Sequence, residues 1–260
     1  NIKLNKKLFT PLIISDAIRK ISIALSKIKP DLMVLNGDRF ESFAAAISSS
    51  QMHIPTFHLE GGDITLGGTL DDNVRHAITK LSNIHFVTNK QSKENLINLG
   101  EENWRIFNFG LPSNDLINKK KLAKKYELEN YLNFKFNKYT ILFTYHPVFG
   151  GLNQIKKECK ILTRVLSKLL TNKDYSIIAT YPNNDYGSGI IIENLISLSK
   201  KYNKNFRLIK SLGNYYFHSI LNLNSKKKII LLGNSSSGIK ESVTFKCPTL
   251  NIGSRQNGRL

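Results

Sequence analysis

The chain has 260 residues, enough for two α/β cores, and 41% of them are apolar, an ordinary globular share. No run approaches the roughly 18 unbroken apolar residues of a membrane span, the opening Asn1-Ile2-Lys3-Leu4 starts no secretory hydrophobic region, and Cys159 and Cys247 stand too far apart for metal-type spacing, which leaves two reduced thiols suited to the cytoplasm. The net charge of +19 raises a nucleic-acid partner, but only eight of the 38 basic residues are Arg and the lysines lie scattered among Asn and Ile, so neither nucleic acid nor membrane is expected.

Along the chain, helix and strand patterns alternate. Apolar spacing predicts a helix over 11–28 and a short strand over 31–36, which ends in Gly37-Asp38. An Ala-rich helix over 40–50 and a strand over 54–59 follow, and the strand runs into Glu60-Gly61-Gly62. Then come a helix over 71–81, a strand over 84–88, a helix over 92–99 closed by Gly100, and a strand over 105–109. The Lys-rich stretch that follows has few patterns. It divides the chain into a first domain over 1–118, a linker over 119–138 and a second domain over 139–260. In the second domain strands are predicted over 139–145, 175–181, 206–209, 228–232 and 249–252, and helices over 154–170, 190–202, 215–221 and 237–245. This alternation argues for parallel, doubly wound sheets.

Open parallel sheets bind ligands beyond the carboxyl ends of their strands. The residues there are polar and Gly-rich: Gly37-Asp38-Arg39, Glu60-Gly61-Gly62, His146-Pro147, Pro182-Asn183-Asn184-Asp185 and 233–238. They fall in both halves, so the expected site draws on both domains. Gly233-Asn234-Ser235-Ser236-Ser237-Gly238 is the phosphate candidate, since a helix start offers N–H groups to an anion; an ordinary helix cap explains the same residues equally well. It matches neither the dinucleotide fingerprint nor a P-loop. Asp38, Glu60 and Asp71 form a carboxylate set able to supply an acid and a base at neutral pH. Asp38 and Asp71 read equally as helix caps, whereas Glu60 has no turn or cap role, and the glycines after it would let a ligand approach the backbone. His146 suits a structural role slightly better than a catalytic one, and His76 suits packing.

Together these residues resemble the UDP-N-acetylglucosamine 2-epimerase family over nearly the whole chain. The blocks are Gly37-Asp38-Arg39-Phe40-Glu41, His58-Leu59-Glu60-Gly61-Gly62-Asp63, Asp71-Asp72-Asn73-Val74-Arg75-His76, Gly110-Leu111-Pro112-Ser113, His146-Pro147-Val148, Pro182-Asn183-Asn184-Asp185, 233–241 and 253–259. Arg39, Gly61-Gly62 and Asp71-Asp72 look like the hydrolysing branch, where the non-hydrolysing branch reads Gly-Asp-Thr, His-Val-Glu-Ala-Gly and Pro-Glu-Glu. The resemblance implies two Rossmann-like domains facing across a cleft, as in GT-B glycosyltransferases. It implies anti-elimination of UDP from UDP-N-acetylglucosamine to a glycal, then hydration to N-acetylmannosamine for sialic-acid synthesis, with the UDP-N,N'-diacetylbacillosamine reaction of the legionaminic pathway as the alternative. Carried over, Asp38, Glu60 and Asp71 are the acid/base carboxylates and His146 assists the departing diphosphate. Ser235, Ser236, Gly238, Glu241, Arg255, Arg259 and Asn183 bind UDP, with Glu241 on the ribose. The resemblance implies no cofactor or metal, and a homo-oligomer, dimer or tetramer. The family's opening strand and phosphate loop have no counterpart here, so roughly 70 N-terminal residues and a C-terminal continuation are expected outside this sequence, and little turnover is expected from these residues alone.

Overall fold

The computed structural model describes residues 10–65, 70–119, 122–148, 151–225 and 228–259, without the side chains of 70, 116–119 and 225. The chain forms two compact units, one of Asn1–Pro112 with Gly258–Leu260, the other of Ser113–Asn257.

In the first unit the order is α1 (Thr10–Ile28), β1 (Met33–Asn36), α2 (Phe40–Gln51), β2 (Thr56–Leu59), α3 (Leu70–Lys80), β3 (Ile84–Val87), α4 (Lys90–Asn98) and β4 (Ile106–Asn108). The strands pair in parallel in the order β1-β2-β3-β4. Right-handed crossovers that keep advancing in one direction put every connecting helix on the same face. That face carries the row Leu35, His58, His85 and Ile106, all buried. Leu35 packs with Ala46 of α2 and Ile78 of α3, and Val87 and Ile106 pack with Leu96 of α4. The next row, on the opposite face, is Asn36, Leu59, Phe86 and Phe107. There Val34 and Phe107 are exposed, and the Phe86 ring lies tilted against Phe107 and stacks on Phe109, the last 74% exposed.

In the second unit α5 (Pro112–Lys119) and α6 (Lys125–Leu132) precede β5 (Tyr139–Thr144), α7 (Gly151–Leu170), β6 (Tyr175–Thr180), α8 (Ser188–Lys201), β7 (Phe206–Ile209), α9 (Gly213–Asn222), β8 (Lys228–Gly233), α10 (Ser237–Lys240) and β9 (Thr249–Asn251). All five strands are parallel in the order β7-β6-β5-β8-β9. Winding therefore reverses between β5 and β8, and the unit is doubly wound. Each face has its own core. Leu142, Ile178 and Leu231 meet α6 and α9 on one side, and Ile141, Phe143 and Ile177 meet α7 and α8 on the other. Strands buried on both faces explain the near-continuous apolar runs in the sequence.

Two expectations change. Residues 122–138 are not a linker: Leu128, Leu132, Phe134 and Phe136 are buried in the second core, and Glu127 closes the start of α6 by accepting from the Lys124 N–H at 2.6 Å. The helix expected over 237–245 stops at Lys240, because Ser242 and its neighbours turn back with 242–247 bonds that set Pro248 at the head of β9. Among the described residues no helix is long and apolar enough to cross a membrane, and no cluster could hold a metal ion. Cys159 and Cys247 are buried free thiols, both pushed by burial up to about 11.

Candidate functional site

In the first unit the ends of β1 and β2 present Asp38 and Glu60, both half-buried. Arg39, not Asp38, holds the N-cap position of α2. The Oδ2 of Asp38 instead accepts from the Nη2 of Arg75, a side chain 1% exposed. Nη1 of Arg75 donates to Asp72 Oδ1 at 2.5 Å and to the Asp63 carbonyl at 2.7 Å. Burial works against the charge of Arg75, but Asp38 and Asp72 outweigh it and raise its pKa. Asp72 also accepts from the Thr65 N–H at 2.9 Å and hydroxyl at 3.0 Å. The first turn of α3 thus splits its two acids. Asp72 is buried inside a hydrogen-bonded cluster, and Asp71 stands half-buried beside it.

Glu60 adopts φ +64°, a left-handed conformation that few non-glycine residues tolerate. The glycines after it do not open the backbone to a ligand, as the sequence suggests. A Cβ on Gly62, at φ +83°, would lie 2.2 Å from the Ser92 carbonyl of α4, and one on Gly61 would lie 3.0 Å from the His58 ring. They are small so that α4 and His58 can pack.

Sequence reasoning assigned His58 no role of its own. It is fully buried, with Nε2 3.0 Å from the Gly37 carbonyl and Nδ1 3.1 Å from the Thr79 hydroxyl, so it fixes the turn that presents Asp38. Burial lowers its pKa to about 4. A histidine at about 6.5 when unfolded and about 4 when folded leaves stability untouched above 6.5 and withdraws it as pH falls from 6.5 to 4, by about 3 kcal/mol in all. Between pH 7 and 4, His58→Asn should therefore flatten the acid loss of the first unit's urea midpoint; an unchanged slope would mean that another group carries it.

In the second unit the site forms where winding reverses, the switch point at which doubly wound sheets bind ligands. The loops after β5 and β8 are tied together by Asn234, which is fully buried. Its Oδ1 accepts from the His146 N–H at 2.7 Å, and its Nδ2 donates to the His146 carbonyl at 2.9 Å. Gly233 permits this closeness. At φ +146° its missing Cβ would lie 1.8 Å from the Thr144 carbonyl. The Asn183 N–H donates to Nδ1 of His146 at 3.0 Å, which makes Nδ1 an acceptor and puts the ring proton of the neutral imidazole on Nε2. Asn183 Nδ2 is bonded to Asp185.

Ser235 and Ser236 are half-buried beside this junction, and Ser236, at the N-cap of α10, makes no side-chain cap bond. Gly238 faces β9, where a Cβ would meet Thr249 Cγ2 at 2.8 Å. Glu241 is held by the buried His218 of α9, Nε2 to Oε2 2.7 Å, and lies 3.4 Å from the Ser237 hydroxyl. Arg255 and Gln256 donate to the Asn234 carbonyl at 3.2 and 2.8 Å. Arg259 belongs to the first unit, where its Nε reaches Thr65 Oγ1 at 3.3 Å and its Nη2 reaches Asp38 at 3.4 Å. The structure thus gathers His146, Asn183, Ser235, Ser236 and Arg255 about one junction and sets Arg259 with the carboxylates. Residue patterns do not reveal the ties of Asn234 to His146 and of His218 to Glu241 in the second unit, or of Arg75 to Asp38 in the first, which join residues 88, 23 and 37 positions apart.

Known proteins resemble this chain along most of its length. The GDP/UDP-N,N'-diacetylbacillosamine 2-epimerase (hydrolyzing) of Campylobacter jejuni is 40% identical over 244 residues, covering 94% of this chain and 62% of that protein. The UDP-N,N'-diacetylbacillosamine 2-epimerase (hydrolyzing) of Legionella pneumophila is 39% identical over 232 residues, 88% of this chain and 58% of that one. The chain therefore spans about three-fifths of these relatives' length. The crystal structure of UDP-GlcNAc 2-epimerase from Neisseria meningitidis bound to UDP-GlcNAc shares the fold with a TM-score of 0.75 at 21% identity, covering 94% of this chain and 65% of that one. The UDP-N-acetylglucosamine 2-epimerase family model matches residues 9–260, and the chain belongs to that family.

Proposed function

We propose that the protein carrying this chain is a hydrolysing 2-epimerase that removes UDP from an N-acetylated amino sugar, with UDP-N,N'-diacetylbacillosamine as the preferred substrate. The observation that carries the reading is the Asn234 junction at the switch point, with the Nε2–H of His146, the Ser235-Ser236 hydroxyls and the Arg255 guanidinium around it. Such donors suit a diphosphate, and Glu241, oriented by His218, suits a pair of ribose hydroxyls. In the reaction a base takes the C2 proton while the C1–O bond to UDP breaks and His146 donates to the leaving phosphate. Water then adds across the glycal with the opposite configuration at C2. Glu60 and Asp71 supply the proton transfers. The substrate preference is supported by what the Campylobacter and Legionella relatives are named to act on; UDP-N-acetylglucosamine is the second reading, favoured by the family description. Buried free thiols suit a cytoplasmic protein, and by family resemblance we place it there as a homo-oligomer.

Incubating the complete protein with each UDP-sugar and following UDP and free sugar by NMR tests this. Stoichiometric UDP with the 2-epimeric free sugar supports it; an epimerised UDP-sugar without free UDP, or no reaction with either, refutes it. Changing Ser235 and Ser236 together to Ala should weaken UDP binding by about 1–3 kcal/mol in calorimetry, the scale of lost charge-assisted bonds; an unchanged affinity would make the loop a turn only.

A further inference from the structure

We propose that Arg75 is a positioning residue that holds Asp38 as a fixed anion, so that within the epimerase reading Asp38 acts through its charge and not as a shuttle of protons. The inference rests on that reading for its chemistry, but on the first unit's geometry for its substance. Arg75 is 1% exposed and its two terminal nitrogens are committed to Asp38, Asp72 and the Asp63 carbonyl. A buried guanidinium cannot shed its proton, so protonating Asp38 would strand a buried cation.

A second cation acts in the same sense. Arg259, 9% exposed, approaches the same Oδ2 from the C-terminal segment. His58 from β2 is neutral near pH 7 and bonds the Gly37 carbonyl rather than Asp38. The charges that oppose it are Asp72 on α3, which is itself satisfied by Thr65 and by the other nitrogen of Arg75, Asp71 beside it in the same turn, and Glu60 at the end of the neighbouring strand. Asp63 lends Arg75 its carbonyl, while its carboxylate accepts from the Ser92 hydroxyl at 3.0 Å. Arg75 and Arg259 both bond the Asp38 carboxylate directly, and ionisation is its stable state. The proton transfers are left to Glu60 and Asp71.

The test is a carboxyl 13C NMR titration of Asp38 in the 260-residue chain, assigned with Asp38→Asn. In Arg75→Gln the proton affinity of Asp38 should rise tenfold or more, the smaller end of what one adjacent opposite charge commands, and Arg75→Lys should recover part of the difference. A folded Arg75→Gln chain in which Asp38 titrates as in the parent overturns the proposal. If Arg75→Gln does not fold, Asp72→Asn decides, because removing the rival carboxylate should lower the proton affinity of Asp38; an unchanged or higher affinity overturns it. In the complete protein, the acid limb of the pH–rate profile for UDP release should move to higher pH in Arg75→Lys, whereas a merely structural role would lower the rate at every pH. The NMR result does not depend on turnover. A protein that releases no UDP from either sugar but titrates as expected refutes the epimerase reading and leaves the pairing standing.

Discussion

Glu60→Gln in the complete protein should slow UDP release by about 10²–10⁴-fold, the range of a lost general acid or base, while the unfolding free energy of the first unit changes by less than about 1 kcal/mol. The reason lies in the backbone. At φ +64° a glycine would be the low-energy choice, yet the chain places a carboxylate there. The companion variant separates chemistry from folding. Glu60→Gly removes the side chain and relieves the left-handed conformation, so it should be as inactive as the Gln variant and more stable by up to about 1 kcal/mol. Urea unfolding and kcat for UDP release are measured on the same preparations. A Gly variant that is less stable, or a Gln variant with ordinary turnover, would show that Glu60 serves the fold.

Gly233→Ala should have the largest effect on stability. The new Cβ would meet the Thr144 carbonyl at 1.8 Å, at a backbone angle of +146° that other residues avoid. Thr144 and Gly233 are register partners across the central β5–β8 pair, so relief requires the two strands to separate at their carboxyl ends. The expected loss exceeds about 4 kcal/mol, at the extreme of single substitutions. Gly233 lies in the second unit, so urea unfolding should lose or sharply lower that unit's transition and spare the first. UDP affinity should fall with it, because the Asn234–His146 junction begins one residue later. Two transitions at their original midpoints would show that the strands accommodate a methyl group, and that the glycine is not required.

Much of this architecture was legible because parallel strands advertise themselves. The apolar runs of β5, β6 and β8 read as strands buried on both faces, and the rule that ligands meet carboxyl ends led to Asp38, Glu60, His146 and Ser235. What escaped depends on contacts between distant residues. In residues 122–138 lysines separate the apolar side chains, so Leu128 and Phe136 look like parts of a solvated stretch until α9 covers them. Asp71 and Asp72 are indistinguishable in sequence; the return of Thr65 onto one of them decides which is buried. His58 and His218 carry no local pattern, because their partners, Gly37 and Glu241, lie 21 and 23 residues away. The glycines after Glu60 were read for the right property and the wrong neighbour, since the space they leave is filled by α4 and His58.

The apolar side chains exposed on the first sheet bear on how the chain behaves as a colloid. Val34, Phe107 and Phe109 form an apolar surface with Phe86 of the kind that drives self-association, while the chain as a whole carries +19. Long-range repulsion keeps copies apart only while it outreaches the contact distance, and the screening length shrinks from about 30 Å at 0.01 M salt to about 8 Å at 0.15 M. Salt does not weaken apolar attraction in the same way. Light scattering from the 260-residue chain should therefore rise with ionic strength, the reverse of a complex between a basic protein and nucleic acid, which salt dissolves. For such a chain the lysines act as a dispersant.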